Sequence, residues 1–284
     1  MSHASCSWPH WLGATRIDDA SLGAAYEATP AAQRAALKTG LALGHMHFGQ
    51  SLGTVFTRRS DRHLGFWRQE QRMPAHWALV CISPSYSAAA RLAAACLPAL
   101  LADVPLLGVA CVGGKPQPSA LVCLELCGVE DIFALEINAG IKLLQSLPSN
   151  RGRLVLLHSG ELTQLAHLAR DLRIPCFEEA APPRLLLKDP AAFDAALLDF
   201  AHGSPVPAAP SEGTADETTM ADAMYMVKPS LATPADGPST AATLPPLVLT
   251  PGCEGFWLHQ GLTPDFFTLV QRSFGPLPLP PLYL

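Results

Sequence analysis

The central part of the chain alternates short apolar runs with longer alanine-rich runs of helical spacing. Apolar runs at 77–83, 106–113, 131–136 and 153–158 predict buried strands, because each is short, dominated by large apolar residues and bounded by turn residues. Strands that alternate with helices through short turns form parallel sheets with right-handed crossovers. The pattern therefore predicts an α/β fold of the Rossmann-like, doubly wound, mostly parallel class.

Further elements extend this pattern on both sides. A fifth strand is predicted at 175–180, a short strand within 183–189 and a closing helix at 190–203, so that the α/β domain spans 77–203. Upstream, Thr29-Pro30 pairs an N-cap residue with a first-turn proline and predicts a helix that runs through Gln50. Residues 51–76 are interpreted as a basic connector with turns. The N-terminal segment 1–76 is thus expected to be helical and irregular.

The composition changes after Gly203. Residues 204–246 are rich in Pro, Ala, Ser and Thr and carry few large apolar side chains, which predicts a disordered linker. Within it, "AMYMV" at 223–227 is a candidate docking strand. The last segment, 247–284, regains aromatic residues, and Thr263-Pro264 predicts a helix over 265–274. The rest of this C-terminal tail is expected to be irregular.

Charge and cysteine content narrow the class of protein. The 284 residues carry a formal net charge of -5, whereas general nucleic-acid binders usually present a basic face, so no nucleic-acid partner is expected. No apolar run is long enough to suggest a membrane span, and no secretory signal is visible, which favours a cytoplasmic protein. The eight cysteines form no CxxC pair and are interpreted as structural thiols. A protein partner, a homo-oligomer and a small-molecule ligand all stay open.

Candidate binding residues follow the predicted strands. The carboxyl ends of strands in open α/β sheets face the ligand crevice. The loop after the first strand offers Ser83, Ser85 and Tyr86, and the turn after the second offers Gly113, Gly114 and Lys115. These glycines lack the longer pattern of a phosphate loop, and a simple turn is the alternative interpretation. An unrelated small ligand in this crevice is a further alternative.

Three segments resemble the histidinol dehydrogenases, which are relatives of the aldehyde dehydrogenase superfamily. They are "AALKTGLALGHMHFGQ", "LGFWRQEQRMPAHWALVCISPSYSAAARLAAACLPALLADVP" and "PSALVCLELCGVEDIFALEINAGIKLLQSL". The resemblance spans about residues 33–147 and includes Pro84-Ser85 and Leu97-Pro98-Ala99. It implies an NAD-dependent dehydrogenase with a catalytic zinc. In "TQLAH", Gln164 and His167 have the spacing of the family's first two zinc ligands.

The sequence departs from the family at the residues that carry chemistry. A family glycine-containing loop is replaced by Ser83-Pro84-Ser85-Tyr86, and proline supplies no N–H to a phosphate. The "GGAQ" phrase of the family is replaced by Glu136-Ile137-Asn138-Ala139, which leaves Asn138 as the candidate cofactor contact. The chain contains no Glu-His dipeptide for acid–base catalysis. We found no downstream Asp and His that would complete a zinc site with Gln164 and His167.

These observations predict a truncated, catalytically incomplete, histidinol-dehydrogenase-like protein that acts as a binding or interaction module. Neither NAD nor zinc is expected to bind, although the resemblance alone would imply both. The alternative is an active NAD(P)-dependent oxidoreductase of the alcohol or aldehyde dehydrogenase type, completed by a partner subunit.

Overall fold

The computed structural model describes residues 7–49, 53–209, 221–228 and 245–277. The helices are α1 (Asp19–Ala28), α2 (Ala31–Phe48), α3 (Ala89–Leu101), α4 (Pro118–Cys127), α5 (Ile137–Ser146), α6 (Thr163–Asp171) and α7 (Ala195–His202). The strands are β1 (Val55–Asp61), β2 (Phe66–Pro74), β3 (Trp77–Ile82), β4 (Leu107–Val112), β5 (Asp131–Leu135), β6 (Gly152–Leu157), β7 (Cys176–Glu179), β8 (Leu185–Leu187), β9 (Ala223–Tyr225), β10 (Leu247–Leu249) and β11 (Thr268–Pro276).

The centre of the molecule is a five-stranded parallel sheet with strand order β5-β4-β3-β6-β7. Its middle strand, β3, is buried along its whole length and pairs with β4 on one side and β6 on the other. Alternate residues of β3 enter two different hydrophobic clusters, Val80 on one face and Leu79 and Cys81 on the other. This is the two-sided burial that apolar parallel strands require. The predicted Rossmann-like α/β fold is confirmed.

Helices cover both faces of this sheet. On one face α3 packs against α2, α4 and α7, and on the other α5 packs against α6. The helix predicted from Thr29-Pro30 runs from Ala31 to Phe48, and Gln50 lies outside the described residues. No helix among the described residues is long and apolar enough to cross a membrane.

A second, antiparallel sheet corrects two predictions. Residues interpreted as a connector form β1 and β2, and the helix predicted over 265–274 is instead a single 3-10 turn, Pro264–Phe267, followed by β11. The strand order is β1-β2-β11, so a C-terminal strand completes a hairpin that lies far upstream. Tertiary pairing outweighs the N-cap signal at Thr263-Pro264, because the β-branched and apolar run that follows suits a strand.

A third sheet involves part of the segment predicted as a linker. The stretch "AMYMV" contributes β9, which lies between β8 and β10 in a short parallel sheet. The side chains of β9 are buried, and Tyr225 is fully buried. Residues 210–220 and 229–244 of the predicted linker lie outside the described residues.

Two glycines hold the C-terminal loop against α2. A Cβ added at Gly40 would lie 1.8 Å from the carbonyl oxygen of Gly255, and one added at Gly255 would lie 2.1 Å from the carbonyl oxygen of Ala36. Such distances are far inside van der Waals contact, so the two backbones touch directly. The loop that follows Gly255 carries Trp257 and His259 and is positioned by this contact.

We expect Gly255→Ala to lower the free energy of unfolding by about 1–3 kcal/mol, the usual cost of overpacking. The matched control is Gly23→Ala, because a Cβ at Gly23 inside α1 meets nothing within 4 Å. There alanine is expected to raise stability by about 0.5–1 kcal/mol through its better helix propensity. Urea unfolding of both variants checks this, and equal effects at the two positions would contradict the close backbone contact.

Candidate functional site

The switch point of the parallel sheet lies between β3 and β6, where the strand order changes direction. Open α/β sheets bind ligands in the crevice outside the carboxyl ends of such a strand pair. The loop after β3 contains Ser83, Ser85 and Tyr86, and the loop after β6 contains Glu161. This is the edge at which the sequence predicts cofactor-binding residues.

A hydrogen-bonded bridge spans this crevice. The Ser85 hydroxyl donates to Glu161 Oε1 at 2.9 Å, and the Ser159 backbone N–H donates to Glu161 Oε2 at 2.7 Å. Since the single hydroxyl proton of Ser85 is used in this way, Ser83 Oγ is the donor in its 3.0 Å contact with Ser85 Oγ. The pKa of Glu161 lies below its ordinary value. Hydrogen bonds from its own backbone N–H, from the Ser159 N–H and from the Ser85 hydroxyl lower this pKa by more than partial burial raises it. The bridge therefore carries a negative charge.

The glycine pair after β4 accommodates a proline ring. A Cβ added at Gly114 would lie 3.1 Å from Cγ of Pro84, and one added at Gly113 would lie 3.6 Å from the same atom. The Gln117 side chain fixes this loop further by donating to the Pro84 carbonyl oxygen at 2.7 Å. The Pro84 ring thus packs against one side of the glycine pair, while Gly113 itself stays exposed and donates its backbone N–H to the Leu135 carbonyl oxygen at 2.7 Å.

The other predicted cofactor residues do not converge on one point. Tyr86 is buried, burial raises its pKa well above the ordinary value, and its protonated hydroxyl donates to Glu179 Oε1 at 3.2 Å. Lys115 is exposed, and Asn138 is exposed in the first turn of α5. The structure therefore brings together Ser83, Ser85, Gly113 and Gly114, but in contacts within the protein.

The predicted zinc pair lies on α6. Gln164 and His167 are both exposed, and Nδ1 of His167 is 3.2 Å from Nη1 of Arg170, which can only donate. Among the residues that the structure describes, no group of three or more His, Cys, Asp or Glu side chains is placed to hold a metal ion. This pair does not fit a zinc site as these residues stand, because a catalytic zinc needs at least three protein ligands.

Thiols in the sheet are poorly suited to nucleophilic chemistry. Burial raises the pKa of Cys111 to about 12 and that of Cys176 to about 12. A thiol must lose its proton to act as a nucleophile, so both are inert near neutral pH. This agrees with the interpretation of these cysteines as structural residues.

The most polar part of the interior lies one strand further along the same sheet edge. Arg91 of α3, Glu179 at the end of β7 and His259 of the C-terminal loop meet there, with side chains 6%, 10% and 3% exposed. Arg91 Nη2 donates to Glu179 Oε1, and His259 Nδ1 lies 3.3 Å from Glu179 Oε2. Arg91 Nη1 also donates to the carbonyl oxygen of His202 at 3.2 Å.

Burial and pairing compete in setting the charge of Glu179. Burial opposes ionisation, but the hydrogen bond and charge of His259 together with those of Arg91 outweigh it, so the pKa of Glu179 lies below its ordinary value. Glu179 is therefore a carboxylate that is stabilised by buried partners rather than by water. Removing Arg91 would leave the Glu179 charge buried without a permanent counter-charge.

His259 has two incompatible partners at one ring nitrogen. Its Nε2 lies 2.8 Å from the carbonyl oxygen of Arg91, which can only accept, so Nε2 carries a proton. Nδ1 lies 3.3 Å from the indole N–H of Trp257 and 3.3 Å from Glu179 Oε2. A bare Nδ1 accepts from Trp257, whereas a protonated Nδ1 donates to Glu179. The two hydrogen bonds cannot exist at the same time.

Glu179, Trp257 and His259 all line a cavity of about 620 Å³. This volume is in the range of sites for small organic molecules. The remaining lining residues are His47, Phe48, Phe177, Glu178, Ala180, Ala181, Pro182, Pro183, Arg184, Asp222, Pro246, Leu247, Leu258, Gln260, Gly261 and Thr263. Aromatic rings and prolines form much of the wall, with three carboxylates and one guanidinium among them.

A second carboxylate at the cavity is oriented by a buried histidine. The backbone N–H of Gly160 donates to Nδ1 of His158 at 2.8 Å, so the ring proton of neutral His158 is on Nε2. Nε2 then donates to Glu178 Oε1 at 3.2 Å. The adjacent residues Glu178 and Glu179 thus have different partners at the end of β7.

The site residues predicted from the sequence did not include Arg91, Glu179 or His259. Two signals were available: an arginine inside the apolar helix run "AAARLAAA", and an acidic pair within the strand predicted at 175–180. A charged residue in an otherwise buried element is rarely placed there without a partner. The partner itself could not be identified, because β7 and the C-terminal loop lie far from α3 in sequence.

His202 lies next to this cluster and is kept neutral. Burial and then the charge of Arg91 lower its pKa to about 3. Its Nε2 bonds the hydroxyl of Tyr225, and Nδ1 is buried with no hydrogen-bond partner among the residues that the structure describes. A neutral ring is consistent with both observations, because an imidazolium would leave a charged donor unpaired in the interior.

We expect Glu179→Gln to lower the free energy of unfolding by about 3–5 kcal/mol at neutral pH, since Arg91 would remain charged without a buried counter-charge. The control is Glu178→Gln, whose side chain is 32% exposed and should change stability by no more than about 1 kcal/mol. Urea unfolding distinguishes the two, and a similar small loss for both would show that the ion pair does not support the fold.

The stability of the protein should fall between pH 7 and pH 5 because of His202. Its folded pKa is depressed, so as the pH drops below the ordinary value of 6.5 the unfolded chain takes up a proton that the folded chain does not. This lowers the free energy of unfolding by about 2 kcal/mol over that range. In His202→Gln the loss should be absent, and the exposed His167→Gln should retain it. An unchanged slope in His202→Gln would rule out a neutral buried His202.

Comparisons with known proteins agree with the architecture. No protein-family profile matches the sequence, and no curated protein matches it significantly. Histidinol dehydrogenase from Elizabethkingia anophelis matches the structure with a TM-score of 0.59 and 11% identity, over 92% of this chain and 77% of that chain.

Aldehyde dehydrogenases match more weakly. Succinate-semialdehyde dehydrogenase from Burkholderia pseudomallei matches with a TM-score of 0.35 and 14% identity, over 72% of this chain and 49% of that chain. Aldehyde dehydrogenase from Brucella melitensis biovar abortus 2308 matches with a TM-score of 0.34 and 17% identity, over 73% of this chain and 50% of that chain. The fold assignment rests on the match with the higher TM-score. The chain has a dehydrogenase-like α/β fold that resembles histidinol dehydrogenase.

Proposed function

We propose that this protein is a small-molecule-binding protein on a histidinol-dehydrogenase-like fold, and that it does not bind a dinucleotide at the switch point. The observation that carries the proposal is the bridge from Ser85 to Glu161 across the crevice between β3 and β6. In a dinucleotide site of this fold class, backbone N–H groups and glycines face the pyrophosphate. Here the corresponding place holds a hydrogen-bonded carboxylate.

Electrostatics support the same proposal. A pyrophosphate at the crevice would lie beside the Glu161 carboxylate, whose low pKa keeps it charged at neutral pH. Two like charges repel each other, although water and salt weaken the repulsion here because Ser85 and Glu161 are both exposed. Pro84 packs against Gly113 and Gly114, and the Gly113 N–H already donates to the Leu135 carbonyl oxygen, so Gly113 offers no free N–H to a phosphate. Binding would require both loops to rearrange.

The binding role is supported by the cavity beside Glu179. Without a nucleotide site, a protein of this fold can bind small molecules only if it offers another cavity. In this chain a cavity of about 620 Å³ lies at the carboxyl end of β7, next to a buried arginine–glutamate–histidine cluster. Ligand sites commonly combine such an apolar wall with a few oriented polar groups.

We expect millimolar NAD, NADP or NADH to leave the melting temperature unchanged. A nucleotide at 100 times its dissociation constant would add about 2.7 kcal/mol. For a chain of this size that corresponds to a rise of several degrees. Differential scanning fluorimetry measures the shift, with an NAD-dependent dehydrogenase as positive control. A rise of several degrees, or turnover of an alcohol or aldehyde with NAD(P) alone or with copurified partners, would favour an active oxidoreductase instead.

A further inference from the structure

We infer that one face of the antiparallel sheet β1-β2-β11 binds an acidic, partly apolar segment of another protein. Glu70 is the only buried residue of these three strands. A small sheet is normally stabilised by an apolar face that packs against the rest of the fold. Here the apolar side chains lie at the surface instead. Five of the seven exposed large apolar side chains among the described residues belong to this sheet and its first turn, namely Phe56, Leu64, Phe66, Val270 and Phe274.

The pairing register assigns each side chain to one of the two faces of this sheet. Neighbouring residues of a strand point to opposite faces, and residues that are paired across strands share a face. Glu70 lies at the centre of one face, opposite Thr57 of β1 and Arg272 of β11. We call this face the arginine face, because four arginines and three exposed apolar side chains surround Glu70. They are Arg59, Arg68, Arg72, Arg272, Phe66, Val270 and Phe274.

Glu70 holds three of these arginines in place. Its Oε1 accepts from Nε of Arg72 at 2.9 Å, and its Oε2 accepts from Nε of Arg272 at 2.9 Å and from Nη2 of Arg68. The hydrogen bonds from Arg72, Arg272 and Arg68 lower the pKa of Glu70 to about 2, so the carboxylate stays charged. A guanidinium has five N–H groups, and each of the three uses only one of them on Glu70. The remaining N–H groups are oriented in advance for the carboxylates of a partner.

Positive charge exceeds negative charge on the arginine face. Arg59 is paired directly opposite Arg68, and like charges in such a pair repel each other. Besides Glu70, two carboxylates adjoin these arginines: Asp61 at the end of β1, and Asp265, which lies 3.4 Å from Nη1 of Arg72. Four guanidinium groups thus meet three carboxylates, whereas the whole chain carries a formal net charge of -5. Carboxylates from a partner would relieve the repulsion between Arg59 and Arg68.

The apolar side chains favour a protein segment as the partner. Arginine and aromatic residues are enriched in protein–protein interfaces, and Phe66 and Phe274 are exposed beside the arginines. A nucleic acid would bring a long run of phosphates close to a chain of net charge -5, which repels it. Two copies of this chain docked through the same face would place the arginines of one against those of the other. An acidic segment with apolar side chains avoids both difficulties.

Fluorescence anisotropy on the full chain tests this with three labelled peptides. The first peptide alternates pairs of glutamates with single phenylalanines, and the other two carry lysine or serine in place of every glutamate. At about 0.05 M salt the glutamate peptide should bind at least about tenfold more tightly than the serine peptide, and the lysine peptide should bind least. At about 0.5 M salt this difference should shrink, because the Debye length falls.

Two pairs of variants test the assignment of the face, since the members of each pair point to opposite faces. Arg59→Glu should weaken binding of the glutamate peptide by at least about tenfold. Arg58→Glu changes the net charge equally, but Arg58 lies over the Trp67 ring on the other face, so the loss should stay below about threefold. Phe66→Ser should weaken binding by at least about threefold, and Phe56→Ser, whose original side chain is equally exposed at 58%, should not. Urea unfolding verifies that all four variants fold.

Several results would overturn the inference. Equal losses in Arg58→Glu and Arg59→Glu would show that net charge acts without a docking face, and equal binding of the glutamate and serine peptides would exclude an acidic partner. Tighter binding of a labelled single-stranded DNA would assign the face to a nucleic acid. A dimer in sedimentation velocity that Arg59→Glu dissociates would assign it to a second copy of this chain. No residue of β1, β2 or β11 lines the cavity beside Glu179, so these results do not bear on the proposed small-molecule-binding function.

Discussion

The buried ion pair between Arg91 and Glu179 is the interaction on which the polar interior depends. Placing two charges where side chains are 6% and 10% exposed costs several kcal/mol for each ion, and only close pairing with further hydrogen bonds offsets that cost. Glu179 meets this condition with Arg91, Tyr86 and His259. The pair joins α3 to β7, and His259 of the C-terminal loop contacts both members, so that three segments distant in sequence meet here. It therefore specifies how the C-terminal loop closes over the sheet.

The geometry of the switch-point crevice follows from the fold, whereas its contacts follow from the residues in its loops. Parallel strands bring their carboxyl ends to one edge, and this geometry follows from the βα repeat whatever residues the loops carry. In this chain the loops carry serine, proline and glutamate. The serine hydroxyls and the Glu161 carboxylate hydrogen-bond to one another, and the Pro84 ring packs against the glycine turn. The same positions, filled by glycines, would leave backbone N–H groups open to a phosphate.

The sequence was informative wherever structure is determined by local periodicity. The strands β3, β4, β5 and β6 were predicted to within about two residues, because each apolar run is buried on both faces of the sheet. Two predictions were wrong for different reasons. The strands β1 and β2 form a hairpin with each other and lie in a polar, largely exposed stretch that lacks the apolar run of a buried strand. The helix predicted over 265–274 failed because the partner of β11 is remote. The strand β2 pairs with β11 some 200 residues away, as Arg72 opposite Val270 illustrates, and no local pattern encodes that pairing. Thr263 does precede a helical turn with a first-turn proline, but that helix is a single 3-10 turn.

Prediction of the candidate site was limited in the same way. Ser83, Ser85, Gly113 and Gly114 were correctly assigned to one edge, because strand ends in a parallel sheet converge. Their chemistry was not predictable, since it depends on Glu161, which enters from the loop after β6. The cluster of Arg91, Glu179 and His259 was not predictable, because its members come from a helix, a strand and a loop that are distant in sequence. The sequence does show that a charged residue, Arg91, lies in an apolar helix, but it does not show which residue pairs with it.

Two carboxylates at this edge of the sheet, Glu161 and Glu179, have their charges compensated in different ways. With Glu161 occupied by Ser85, the negative charge at the switch point is fixed by local donors and is unavailable to a ligand. At β7 the Oε1 atom of Glu179 accepts from Arg91 and Tyr86, while Oε2 lies 3.3 Å from Nδ1 of His259. The two carboxylates differ because Glu161 is exposed and held by hydroxyl and backbone donors, whereas Glu179 is buried and compensated by a guanidinium. This contrast supports the proposal that small molecules bind beside the edge strand β7, where the cavity lies, rather than at the switch point.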